Sequence, residues 1–183
     1  MQSNEFVSRL LQDLEPKVLH RVMKKGEEIL SLGEVCDYVG LVRTGSLRMY
    51  YIDAEGRDVS FSFYLSDDVF TNYEGLLTNT PSQLIIVAVE ETEVELIRKV
   101  DLFEYYERSL EGQRLGRLMA DQIFLEAKKR IDFLLFLTPE QRYLQLANTS
   151  PQVFNHIPQK HIASYIGVKP QSLSRIRKRL IEK

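Results

Sequence analysis

Between His156 and Lys183 the chain carries seven Lys or Arg residues against one acidic residue, Glu182. Within this stretch Gln171 and Arg175 lie four positions apart, so on a helix they project from one face. A Gln side chain pairs bidentately with adenine, and an Arg fork pairs with guanine. Lys169, Ser172, Ser174 and Lys178 suit phosphate oxygens, which fix a protein on a duplex without reading its sequence. Lys160 and Arg177 complete the candidate DNA-binding set. The chemistry implied is recognition of double-stranded DNA by one exposed helix face.

Such a helix needs a second helix to hold it, and the preceding residues have the required spacing. Ile162 and Ile166 share one face of a first helix, with small Ala163 beside them where a larger side chain would push the partner away. Gly167 stands where the chain must reverse, a position that favours positive φ. Val168 points into the angle between the helices, and Leu173 and Ile176 form the inner face of the second. Pro170 fits the first turn, where its missing N–H is no loss. A merely solvated basic helix needs no such pattern. The segment 158–183 therefore reads as a helix-turn-helix.

Charge is partitioned accordingly. The 183 residues hold 24 basic and 26 acidic side chains, a net charge of −2, while His156 to Lys183 carries about +6. The first 155 residues are left at about −8. A basic end attracts polyanions and an acidic body discourages indiscriminate binding. An apolar content of 44% is ordinary for a globular protein. No apolar run approaches the roughly 18 residues of a membrane span. The polar amphipathic start, MQSNEFVSRLLQDLEP, is unlike a secretory signal, so a cytoplasmic location is expected. Cys36 is the only cysteine, which excludes an internal disulfide, an iron–sulfur cluster and a cysteine-built zinc site. His20, His156 and His161 all fall outside the stretch that reads as strands, so no metal site is expected there. No catalytic set of residues appears, and the chain is not expected to be an enzyme.

The remaining pattern supplies a scaffold. Phe6, Leu10, Leu11, Leu14 and Val18 recur at helical spacing and predict a helix within residues 1–22. From Lys25 onward the chain is rich in β-branched and aromatic residues. Asp53 to Gly56 forms a turn, and Val59, Phe61 and Phe63 alternate with Ser60 and Ser62 as in a half-buried strand. Leu84–Val89 and Val94–Ile97 read as further strands, and many short strands at close spacing imply a sandwich or barrel. Asp101 is expected to cap a short helix ending near Ser109. A long helix from about Gly112 to Leu137 carries the stripe Leu115, Met119, Ile123, Ala127, Ile131 and Leu134, suited to packing on the barrel or on a second copy of itself. Thr138 and Pro139 restart a helix that runs to about Ala147. Asn148 to Pro151 reads as a loop.

Barrel, long helix and helix-turn-helix, in that order, resemble the Crp/Fnr family of bacterial transcription regulators across nearly the whole chain. Two stretches carry the resemblance: residues 25–48, with Gly33 and Gly45 at turns, and residues 162–178. The resemblance places Gln171 and Arg175 at base-reading positions, and Lys169 and Ser172 at phosphate positions. It implies a homodimer, and RNA polymerase as a partner. Family members that bind cyclic nucleotides carry a Gly-Glu-Leu turn and, some ten residues on, an Arg that pairs the cyclic phosphate. Here Glu74-Gly75 echoes the turn, but Pro81-Ser82-Gln83 offers no Arg. Burying a phosphate without a cation or a dense set of N–H donors is costly, so cyclic AMP is not the expected effector. The cysteine count sets the chain apart from the oxygen-sensing branch. The family often adds a β-wing after the second helix of the motif, and a chain ending at Lys183 is expected to present the motif without a full wing.

The expected fold is thus α+β: an N-terminal antiparallel β-barrel or jelly roll of the cyclic-nucleotide-binding type (residues 1–109), a long dimerisation helix (110–137) and a helix-turn-helix domain (138–183). The expected function is dimeric, sequence-specific transcription regulation without a bound cofactor. An effector would occupy a pocket near Tyr73, Glu74, Ser82 and Gln83, with the aromatic residues Tyr38, Tyr50, Tyr51, Phe61 and Phe63 as further candidates for its lining. The alternative is a small-molecule sensor barrel that signals through a protein partner.

Overall fold

The computed structural model describes residues 10, 13, 14 and 17–181. Among these, eight strands form two four-stranded antiparallel sheets. One has the order β1-β8-β3-β6, built from Leu19–Met23, Thr92–Arg98, Tyr38–Thr44 and Val69–Phe70. The other has the order β2-β7-β4-β5, built from Glu28–Leu30, Leu84–Ala88, Leu47–Ile52 and Asp58–Tyr64. The inward residues of both sheets, including Met23, Leu30, Val42, Leu47, Met49, Phe70, Ile86 and Val94, make one apolar core. Tyr38, Phe61 and Tyr64 pack against it. Tyr38 and Phe61 are therefore part of the packing rather than a vacant pocket, and burial pushes the Tyr38 phenol well above its ordinary range.

The expected N-terminal helix lies largely outside the described residues. One turn of it is present, where Leu14 N–H donates to the Leu10 carbonyl at 3.0 Å. It does not extend to residue 22. Leu19–Met23 pairs with β8 instead, Leu19 opposite Leu96 and Met23 opposite Thr92, and this puts His20 on a strand. A full ladder with a waiting strand outweighs a weak helical pattern over five residues.

Seven helices complete the described chain: α1 (Tyr73–Thr78), α2 (Lys99–Arg108), α3 (Leu110–Phe136), α4 (Pro139–Thr149), α5 (Val153–His156), α6 (Gln159–Ile166) and α7 (Pro170–Ile181). Asp101 does not cap α2: the cap position is Arg98, and Asp101 sits buried in the first turn, 2.9 Å from Lys17 Nζ and 2.9 Å from Arg98 Nε. The helix start carries a carboxylate, as its dipole favours, but held between two cations. Thr138 and Gln141 close a reciprocal capping box at the start of α4, with Pro139 in the first turn. Residues 148–151 are shorter as a loop than expected, since α4 continues to Thr149 and α5 follows at Val153.

The long helix α3 divides along its length. Leu115 is buried and Met119 half-buried against Leu10, Leu14, Leu41, Ile97 and Leu102, so the chain's own barrel covers this end. Leu115 thus packs within the chain itself, and Met119 does so in part. Ile123 is half-buried, Ala127 is exposed, and Ile131 and Leu134 are 54% and 39% exposed. Phe124, Leu125, Leu135 and Phe136 are uncovered as well.

Candidate nucleic-acid interface

The helix-turn-helix is held by a small apolar core. Ile162, Ala163 and Ile166 from α6 and Leu173 from α7 are fully buried together with Leu146, Val153 and Ile157. Ala163 has no exposed surface, which leaves the packing no room for a larger side chain. Gly167 ends α6 in the left-handed region, φ 81°, as the reversal requires. Its N–H donates to the Ser164 carbonyl at 3.0 Å, and Val168 N–H donates to the Ala163 carbonyl at 2.9 Å.

With Leu173 and Ile176 turned inward, the opposite face of α7 points to solvent. Gln171, Ser174, Arg175 and Lys178 are exposed, and Ser172 and Arg177 are half-buried. Gln171, Arg175 and Lys178 follow one another at intervals of four and three, so they form a single ridge. Arg175 Nη2 donates to Ser172 Oγ at 3.2 Å, an arrangement that steadies the guanidinium on the helix surface. The Ser174 hydroxyl turns back to the Pro170 carbonyl at 3.2 Å. Lys160 and Lys169 are exposed at the start of α6 and in the turn before α7.

Of the four residues expected around an effector, Ser82 is committed to the fold's own hydrogen bonds. Ser82 is buried, and its hydroxyl is consumed: it accepts from Asn72 Nδ2 at 3.0 Å and donates to the Leu84 carbonyl at 2.7 Å. Asn72 in turn caps α1 by accepting from Gly75 N–H. Tyr73 is half-buried, while Glu74 and Gln83 are exposed. Among the described residues no hydrogen bond joins any of these four.

Several residues that position the motif escaped sequence reasoning. Helix α6 lies directly on strand β5. Ser60 N–H donates to Ser164 Oγ at 2.9 Å, and that hydroxyl donates onward to the Asp58 carbonyl at 3.0 Å. Arg48, 3% exposed, donates from Nε to Ser60 Oγ at 2.8 Å and pairs with Asp58 Oδ2 at 2.6 Å. Arg130 of α3 donates from Nη2 to the carbonyls of Ser60 (3.1 Å) and Tyr165 (2.9 Å), with its guanidinium 3.8 Å from the Tyr165 ring centre. Burial lowers the proton affinity of that guanidinium, and its contact with Tyr165 opposes this only in part. His161 sits 4.0 Å from Asp58, and burial, with Arg48 and Lys160 nearby, pulls its pKa down to about 4. His156 Nδ1 lies 2.8 Å from Glu90.

Residues 20–109 match the cyclic nucleotide-binding domain family. The chain is 27% identical over 181 residues to the transcriptional regulatory protein Btr of Bordetella pertussis, covering 91% of this chain and 73% of that protein. Among solved structures, FixK2 from Bradyrhizobium japonicum superposes with a TM-score of 0.76 at 23% identity, over 90% of this chain and 85% of that one. A protein from Eubacterium rectale described as a regulator of the crp/fnr family gives 0.73 at 17% identity, over 93% and 82%. These likenesses to solved structures establish the fold.

Proposed function

We propose that this chain, whose residues 20–109 match the cyclic nucleotide-binding domain family and whose fold is that of Crp/Fnr regulators, is a transcription regulator of that type, a homodimer that reads a two-fold DNA sequence with α7. The observation that carries this reading is the ridge of Gln171, Arg175 and Lys178, exposed on a helix whose other face is locked by Leu173 and Ile176. Gln171 and Arg175 read base edges. Lys160, Lys169, Ser172, Ser174, Arg177 and Lys178 meet phosphates around them.

The second copy covers the apolar strip of α3 that the barrel leaves open. Phe124, Ala127, Ile131 and Leu134 succeed one another at intervals of three, four and three, the spacing of a two-stranded seam. Two copies joined there present two α7 helices to half-sites about one helical turn apart, roughly 34 Å.

The effector is not cyclic AMP. The residues that would replace the phosphate-binding cation are Pro81, Ser82 and Gln83, and Ser82 is saturated by Asn72 and Leu84. Selection of bound duplexes from a random pool tests the function: a two-fold repeat is expected, and recovery of unrelated sequences would defeat the reading.

A further inference from the structure

A helix leaves its last four carbonyls without intrahelical partners, and buried carbonyls must find others. At the end of α6 all four are accounted for. Ala163 and Ser164 accept from the N–H groups of Val168 and Gly167. The next two accept from arginines belonging to other elements: the Tyr165 carbonyl from Arg130 Nη2 at 2.9 Å, and the Ile166 carbonyl from Arg142 Nη1 at 2.8 Å. The same two arginines also grip what surrounds the motif. Arg130, itself part of α3, reaches the Ser60 carbonyl on β5. Arg142, on α4, donates from Nε to the carbonyls of Phe133 and Leu137, both at 3.0 Å, and from Nη2 to Leu134 at 2.6 Å. Phe133 and Leu134 are among the open carbonyls at the end of α3. A single guanidinium thus closes the ends of two helices at once, and the negative ends of both helix dipoles face it.

We propose that Arg130 and Arg142 are positioning residues for DNA reading, a two-arginine clasp that fixes the direction in which α7 leaves the long helix. The geometry requires a fork. Arg142 makes four hydrogen bonds in three directions, which a planar guanidinium provides and an ammonium on a flexible stem does not. The hinge itself is short: Leu137 is extended between α3 and α4, with ψ 141°. A hinge of one or two residues leaves the angle to whatever bonds span it, and these two arginines span it on both sides. The consequence for a paired reader is strict, because a small rotation at the hinge moves the tip of each α7 relative to its half-site.

The clasp depends on the DNA-reading function only for its consequence, so the test has two independent arms. Hydrogen exchange by mass spectrometry is measured on the full-length protein without DNA, for wild type, Arg142→Lys, Arg142→Met and Arg130→Met. Exchange in peptides covering 133–142 and 160–170 should rise about tenfold or more, the size expected for losing charge-assisted hydrogen bonds. Exchange in the barrel peptide 84–98 should not change. Arg142→Lys should behave much like Arg142→Met, and it carries the test if the Met variant does not fold. In the second arm, duplexes selected by wild type are rebuilt with half-site spacings longer and shorter by one and two base pairs. Wild type should favour one spacing, and the clasp variants should bind the series nearly evenly while keeping preference within a half-site. Unchanged exchange in both hinge peptides would overturn the clasp, as would a rise spread equally over the barrel. If wild type binds no duplex, the DNA-reading function falls, and the exchange arm alone still decides the clasp.

Discussion

Ser60 in the barrel donates its N–H to the hydroxyl of Ser164 in the first helix of the helix-turn-helix, 2.9 Å away and 104 residues on in the chain. The bond ties the barrel to the helix-turn-helix. Ser60 has no exposed surface, although its neighbour Val59 is 40% exposed. A register shift opposite Met49 and Tyr50 breaks the simple alternation along β5, so that Phe61 packs on the barrel core while Phe63 packs on the helical core beside Tyr165, and Ser60 meets α6 through its N–H.

That contact should weaken in acid. Docking buries His161 and lowers its pKa from 6.5 to about 4. The neutral ring is thus favoured in the docked form. Its contribution is fully present above pH 6.5, declines as the pH falls from 6.5, and reaches its minimum near 4. Arg48 and Lys160 oppose protonation of the ring and Asp58 favours it. Urea midpoints measured from pH 7.5 to 4.5 should fall, and His161→Gln should remove part of the slope. An identical slope in the variant would refute the assignment to His161.

Gly167 holds a left-handed conformation at φ 81°, and a Cβ there would stand 3.0 Å from Arg142 Nη1. Gly167→Ala should cost about 1–2 kcal/mol from backbone conformation alone, read from thermal or urea unfolding. A neutral effect would mean that the turn relaxes without strain.

The turn itself was legible in the sequence, because Ala163, Gly167 and the apolar offsets around them encode a local motif. So were most of the strands and the long helix, whose periodicities are local too. What the sequence concealed was contact between distant elements. Arg130 sits between Ala127 and Ile131 in a stripe that reads as apolar, and nothing near it in sequence announces Ser60 or Tyr165. Arg48 lies between two inward residues and was read only as part of a strand. The partners of Ser82 were concealed for a related reason: its side chain suits a ligand, but Asn72 and Leu84 take both of its hydrogen-bonding roles. Leu115 and Met119 continue the stripe of the long helix, and only the packed barrel shows which end of it is already covered.

The uncovered end of α3 predicts the oligomeric state. Phe124 and Ile131 are 68% and 54% exposed. Ile131→Lys should convert the dimer to a monomer in sedimentation velocity. Affinity for a duplex with two half-sites should drop on the order of 100-fold, since the second contact ceases to be intramolecular. A variant that remains dimeric would place the seam elsewhere.

Calorimetry with cyclic AMP should show no micromolar binding, because the phosphate would meet a hydroxyl already paired at 3.0 and 2.7 Å and no cation. Installing Gln83→Arg alone should not create a site, as the residue is exposed and Ser82 stays committed. Micromolar heat with the unaltered protein would contradict both statements.

The central claim is that α7 reads sequence, and Arg175 tests it most directly. Wild type and Arg175→Ala are titrated against the selected duplex and against every single-base variant of it, at one fixed salt concentration. The variant should lose about 1–3 kcal/mol on the selected duplex and become indifferent at one base position per half-site, while keeping its preference elsewhere. Lys169→Ala in the same assay should weaken all duplexes alike and reduce the salt slope by about one. An equal loss on every duplex for Arg175→Ala would show that this side chain touches only phosphate and would contradict the account.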